Sequence, residues 1–405
     1  MPQRHSSTVR TKPLWIIFAL LAMATTLRAP VTGIAPVLEI LRNVFGLSPA
    51  QAGLLTTLPL LAFGVVSPFS VIFAREYGLE RSLFGALIVM TAGALLRSAG
   101  AEWSLFLGTA LIGIGIAVGN VLLPSLVKRD FAHKVAAITG ICAITMGSAA
   151  GLASAAAFPL ANAFSWRAAL IAPIAFPLIS LAFWSSQLRG HTPPARDTAT
   201  PPHGGRVWHS ALAWQVTLFM GINSLLYYVL VAWLPAILTA NGLSATTSGS
   251  LHGIMQLASA APGLLLTPVV SRMKDQRLSA ATMAALMALA LLGFRFMPGL
   301  ATLWAVCFGF GSGGGILLAL MFMSLRASNI QQATALSGMA QCVGYLLAAC
   351  GPTLAGALHD RTGGWTSTLW IGVILALVMA CLGLLAGRSR TIGVKHASAS
   401  QPASY

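Results

Sequence analysis

The chain has 405 residues, 57% of them apolar and only 8% charged, with a mean hydropathy of +0.81. That composition excludes an assembly of water-soluble domains and points to a polytopic membrane protein. The 24 Lys and Arg outnumber the 8 Asp and Glu to give a net charge of +16; no soluble domain is left to turn this excess into a nucleic-acid surface, so it is assigned to loops facing anionic lipid.

Residues 1–13 form a polar tail, and Arg10 and Lys12 precede the run LWIIFALLAMA that begins at Leu14. The pattern resembles a secretory signal, but no small-residue cleavage site follows and the apolar character continues past Arg28, so a retained first span is expected. Further apolar runs begin at Pro49, Ser82, Trp103, Val135 and Trp166, then at Val216, Ala245, Leu278, Leu303, Thr334 and Trp365. Each is roughly 17–26 residues, enough to cross about 30 Å of hydrocarbon with some tilt. The segment 185–209, rich in Pro, Gly, Thr and charge, reads as a linker. The expected architecture is an all-α membrane protein of twelve transmembrane helices: a six-helix half over 14–184, the linker over 185–209, a second half over 210–387 and a tail over 388–405.

The cations set an orientation. Arg42, Arg97, Arg167, Arg295 and Arg361 fall in loops on one side, Arg28 lies within a span, and the remaining eighteen share the side of the termini and linker. The positive-inside rule therefore places both termini in the cytoplasm of a multi-pass inner-membrane protein. Two internal matches at an offset of 196 point to duplication: GLSPAQAG from Gly46 with GLSATTSG from Gly242, and GIGIAVG from Gly113 with GFGSGGG from Gly309. Ser48 and Ser244 stand where an N-cap would open the second helix of each half, with Pro49 at the first helical position. Gly115-x-x-x-Gly119 and Gly311-x-x-x-Gly315 read as close packing surfaces on which the fourth and tenth helices could slide or rock. The five cysteines lie in apolar runs without metal-ligand spacing and read as inert core thiols.

Two parallel six-helix repeats are the plan of the major facilitator superfamily. The segments TTLRAPVTGIAP from Thr25, GLLTTLPLLAFG from Gly53, GNVLLPSLVKRDF from Gly119, INSLLYYVLVAWLPAIL from Ile222 and LSGMAQCVGYLLAACGP from Leu336 resemble its cyanate and 2-nitroimidazole transporter family. The likeness is nearest to the branch that exports 2-nitroimidazole and covers all but the tails and linker. It implies a secondary transporter working by alternating access, with a small planar compound moved outward. Uptake of a small anion such as cyanate is the alternative. One loop departs from the superfamily pattern G-x-x-x-D-R-x-G-R-K: AREYGLER over 74–81 has Arg75 and Glu76 at the Asp and Arg positions.

Arg28 carries the sharpest functional signal. Some 14 residues into its span, it sits about 20 Å from the end at 1.5 Å per residue, near mid-bilayer. Placing an Arg there costs at least about 2.5–3.5 kcal/mol, and such groups normally face a water-filled cavity or a ligand. A structural Arg bonded to neighbouring carbonyls is the alternative. All eight acids fall in loops or at span ends, so Arg28 has no carboxylate at its depth. Its planar fork of donors suits a nitro group, a carboxylate or a small linear anion.

Aligning Pro36 with Pro235 sets Tyr227 opposite Arg28, with Asn223 one turn earlier and Tyr228 and Trp233 adding aromatic surface. His252 with Gln256, and Gln341 with Tyr345, stand four apart; each pair is either an interhelical hydrogen-bonding couple or part of the site. Asn120 either lines the pathway or packs between helices. Proton coupling, lacking intramembrane acids, would run through His252 or a peripheral acid. The expected substrate-binding set is thus Arg28, Asn120, Asn223, Tyr227, Tyr228, His252, Gln256 and Gln341. No cofactor, metal, enzymatic activity or nucleic-acid partner is expected; the partners are a small-molecule substrate and the lipid bilayer, for a monomeric chain. An intramembrane enzyme would want paired acids at depth and a sensor a sizeable loop domain, and neither pattern is present.

Overall fold

The computed structural model describes residues 13–131, 133–188, 207–270, 272–273, 275–328 and 330–392. Most of the expected linker and both expected tails lie outside them, as does the side chain of Arg75. Among the described residues every element is helical, and twelve spans are long and apolar enough to cross a membrane. They are α1 (Leu14–Phe45), α2 (Pro49–Tyr77), α3 (Leu79–Arg97), α4 (Glu102–Asp130), α5 (Val135–Ala163), α6 (Trp166–Ser185), α7 (Ala211–Ala240), α8 (Ala245–Val270), α9 (Arg277–Phe296), α10 (Ala301–Leu325), α11 (Ile330–Thr362) and α12 (Thr366–Ala386). Helices α3, α7 and α11 start ahead of the apolar runs at Ser82, Val216 and Thr334, at Leu79, Ala211 and Ile330.

The two halves are built alike. Ser48 caps α2 in a reciprocal box with Gln51, and Ser244 caps α8 by accepting from the Thr247 amide. The glycine runs of α4 and α10 pack by the same scheme. A Cβ at Gly113 or Gly309 would press on Pro59 of α2 or Met255 of α8, and one at Gly115 or Gly311 on Met90 of α3 or Met287 of α9. At Gly119 or Gly315 it would press on Leu27 of α1 or Asn223 of α7. These glycines therefore seat α4 and α10 within their own halves. They are the close packing surfaces expected of them, and they do not form the surface on which the halves meet.

The halves meet along α2–α11 and α5–α8. Thr57 donates to the Ala349 carbonyl at 2.8 Å and lies 3.0 Å from the Thr353 hydroxyl. Gly53 abuts the Pro352 backbone and Gly356 the Pro49 backbone. On the other flank Gly151 and Gly253 cross backbone to backbone, and Ser154 donates to the Gly249 carbonyl at 3.0 Å. These contacts concentrate away from the chain termini. Toward the terminal end the α2–α11 contact thins out: a Cβ at Gly64 would find only Leu346, at 3.8 Å, and one at Gly338 nothing within 4 Å. There α5 and α8 stay in touch, where Gly140 faces the Leu264 side chain.

Three spans are interrupted. Helix α1 runs Pro13–Thr26, breaks, and resumes in short pieces at Ala29–Thr32, Ala35–Val37 and Leu38–Phe45. Helices α6 and α8 break near Pro173 and Pro262, where the missing N–H removes a helical bond. Buried carbonyls freed by these breaks need donors. The Ile34 amide turns to Val31, and the Pro30 carbonyl takes Arg97 Nη1 at 2.6 Å instead. Arg97 Nη2 donates to Leu170 of α6 at 3.0 Å, so one guanidinium fastens two broken helices. This corrects its assignment to a loop: Arg97 is 1% exposed. Arg326, also assigned to a loop, is buried and donates to Gln276 and to the carbonyls of Ala386 and Gly387 at 2.8 and 3.0 Å. Three cysteines depart from the core reading as well: Cys142 is buried, but Cys342, Cys350 and Cys381 are exposed.

Candidate functional site

The break in α1 builds the site. Arg28 is the N-cap of the short piece Ala29–Thr32, with φ −132° and ψ −41°, so its backbone leaves the helical path at mid-span. Its Nη1 donates to Ser259 Oγ of α8 at 3.1 Å, and its Cζ lies 5.4 Å from the Tyr227 ring centroid. Ser259 donates onward to the Gln256 carbonyl at 2.7 Å. Arg28 of the first half thus rests on Ser259 and Tyr227 of the second. The cation–π contact contributes about 0.5–2 kcal/mol against the cost of a mid-membrane charge.

Beside Arg28 lies a cavity of ≈ 60 Å³, lined from the second half by Asn223, Ser224, Tyr227, Tyr228, Ser259, Ser312, Gly313, Ile316 and Tyr345. One water needs roughly 10–15 Å³ by this measure, so the space admits a small ring rather than a solvent molecule or two. Tyr227 and Tyr228 meet edge to face at 5.1 Å, and Tyr345 is held edge-on by Phe63 at 6.0 Å. No carboxylate lines the cavity. The acids Glu39, Glu80, Asp130 and Asp275 are instead paired at helix ends with Arg42, Arg129, Arg129 and Arg277.

Behind Tyr227 runs a buried hydrogen-bond chain whose polarity is fixed by its far end. Ser154 spends its only proton on the Gly249 carbonyl, so it accepts from His252 Nδ1 at 2.7 Å, and that nitrogen carries the hydrogen. In the neutral ring Nε2 is then bare and accepts from Gln256 Nε2 at 3.2 Å. Gln256 Oε1 in turn accepts from the Tyr227 hydroxyl. Every member is satisfied, and the Tyr227 hydrogen is committed away from the cavity. The chain joins the site to α5 of the other half through Ser154.

Of the sequence-derived residues, Arg28, Asn223, Tyr227 and Tyr228 lie together on the cavity, while His252 and Gln256 stand behind Tyr227. Asn223 Nδ2 donates to the Ser312 carbonyl at 3.1 Å and its Oδ1 is buried without a partner. Asn120 and Gln341 are exposed and apart from the cavity, Gln341 donating to Ser337 at 2.8 Å. Trp233 is a buried residue of the α2–α11 junction, where it donates to the Pro352 carbonyl at 2.8 Å. Sequence reasoning missed Ser224, Ser259, Ser312, Gly313 and Ile316 as lining residues. It met Tyr345 only as the partner of Gln341, with which no hydrogen bond forms.

The pattern of the Major Facilitator Superfamily matches residues 14–349. Over 378 residues, 93% of this chain and 96% of the relative, the sequence is 52% identical to the 2-nitroimidazole transporter of Escherichia coli strain K12. It is 28% identical over 353 residues to the cyanate transport protein CynX of the same organism, covering 86% and 91% of the two chains. The fold superposes, at a TM-score of 0.70 and 17% identity, on a bacterial homolog of the human lysosomal transporter Spinster in an inward-facing, occupied conformation, covering 94% of this chain and 98% of that one. The chain is a multi-pass membrane transporter and belongs to the major facilitator superfamily, within its cyanate and 2-nitroimidazole transporter family.

Proposed function

We propose that this transporter exports 2-nitroimidazole-like planar compounds across the inner membrane by alternating access, both termini facing the cytoplasm. The observation that carries this reading is the placement of Arg28 against Tyr227 in a small aromatic cavity between the halves, in a chain 52% identical to a 2-nitroimidazole transporter. Arg28 would hold the nitro group through its unused donors, with Tyr228 and Tyr345 flanking the ring. Asn223 and Tyr227 complete the wall, and His252 and Gln256 act through Tyr227. Asn120 and Gln341 would border the path beyond the cavity. The meshed α2–α11 and α5–α8 contacts are the gate at the end away from the termini, and they must part for outward release. The test is overproduction in cells, which should lower accumulated 2-nitroimidazole and raise tolerance to it. Unchanged accumulation with faster cyanate entry would favour uptake of a small anion, the reading that the likeness to CynX supports.

A further inference from the structure

Resting on that reading, we propose that the site takes its substrate as the anion. Each transport event then moves one net negative charge, and an inside-negative membrane potential drives export without proton exchange. The charge balance of the cavity carries this step. Arg28 brings a full positive charge to a site lined by no carboxylate, and just one of its five donors is used, on Ser259. A neutral ligand would leave that charge uncompensated in a low-dielectric setting, whereas an anion neutralises it on binding.

The polar groups facing the cavity can also serve an anion. Tyr228 and Tyr345 line it with hydroxyls that make no hydrogen bond to the described residues, so both can donate to an anion. Asn223 Oδ1, the amide acceptor of the wall, is turned to the packed glycine face of α10 at Gly315. Azole chemistry supplies the matching ligand. A nitro group at C2 draws electron density from the adjacent ring nitrogens and acidifies the N–H, so the azolate coexists with the neutral ring near neutral pH. The proton stays in bulk water, and the bound species is planar, anionic and rich in acceptors.

Nothing at the cavity offers a ready route for a coupled proton. His252, the histidine nearest the site, is fully buried, with Nδ1 spent on Ser154 and Nε2 on Gln256. The ionisable groups lining the cavity, on α1, α7 and α11, are Arg28, Tyr227, Tyr228 and Tyr345, and none is a carboxylate.

The experiment uses the full chain in proteoliposomes with equal pH on both sides and a potassium diffusion potential set by valinomycin. It compares 2-nitroimidazole with 1-methyl-2-nitroimidazole, which has no N–H to lose. We expect 2-nitroimidazole to distribute toward the positive side, approaching a tenfold concentration ratio for each ~59 mV imposed, with a current of matching sign on a supported membrane. The methyl analogue should neither move through the protein nor compete. Equal transport of both compounds at every potential would overturn the anion inference and leave the export reading standing. So would flux that requires a pH gradient at clamped potential. No protein-dependent flux of 2-nitroimidazole under any condition would instead overturn the export reading, and the inference with it.

Discussion

Arg28 was legible in the sequence because a charge inside an apolar run has few physical excuses, and Tyr227 followed from aligning the two prolines. Ser259 and Tyr345 were not legible. A serine in a membrane helix ordinarily bonds its own backbone, as Ser259 does to Gln256, and nothing local shows that it also accepts from Arg28 across the half–half boundary. If Arg28 binds substrate, Arg28→Ala should abolish transport at near-normal membrane abundance, because it removes a costly charge. Arg28→Lys keeps the charge but loses the planar fork, so its transport should fall well below wild type. Poor abundance of the Ala variant with rescue by Lys would mark the residue as structural. Tyr227→Phe deletes the hydroxyl committed to Gln256 and should weaken apparent affinity by about 0.5–1.5 kcal/mol, roughly two- to tenfold. Titrating transport against substrate concentration reads that shift; an unchanged half-saturation would show that the hydroxyl and its bond to Gln256 do not bear on substrate affinity.

The helices were readable from apolar run length, and the starts of α2 and α8 from the caps at Ser48 and Ser244, whereas the early starts of α3, α7 and α11 and the breaks in α1 and α6 with their repair were not. Arg97 looks like a loop cation because it ends α3, and only the tertiary arrangement brings it to the carbonyls of Pro30 and Leu170. Arg97→Met leaves both acceptors buried and unpaired, at roughly 1–3 kcal/mol each, so the detergent-solubilised protein should melt several degrees lower. An unaltered melting temperature would mean that water or backbone adjustment replaces the guanidinium. The glycine periodicity of α4 and α10 signalled close packing but not the partner helix. At the α5–α8 crossing a Cβ on Gly253 would collide with the Gly151 carbonyl, while one on Gly263 meets nothing within 4 Å. Gly253→Val should therefore block transport at normal abundance by preventing closure of the end away from the termini, and Gly263→Val should transport normally. Full activity of Gly253→Val would show that this crossing need not close.

At the scale of the whole molecule, composition and the 196-residue offset already implied two six-helix repeats, and the matched seating of Gly113, Gly115 and Gly119 with Gly309, Gly311 and Gly315 gives that repeat its physical form. Orientation rests on the cation count, and burial of Arg97 and Arg326 subtracts one cation from each side without changing its sense. Reporter fusions near Arg196 should read cytoplasmic and fusions at Asn241 external; the opposite pattern would invert the direction assigned to transport. Coupling is a property of the whole cycle. With the membrane potential held constant, collapsing the pH gradient should change flux only modestly, in wild type and His252→Ala alike, whereas strict dependence would place a titrating group on the transport path. The most direct test of the central claim is protein-mediated flux of labelled 2-nitroimidazole in vesicles holding equal amounts of wild type or Arg28→Ala. The account predicts rapid flux through the wild type and none above background through the variant; equal flux through both, or none through the wild type, would contradict it.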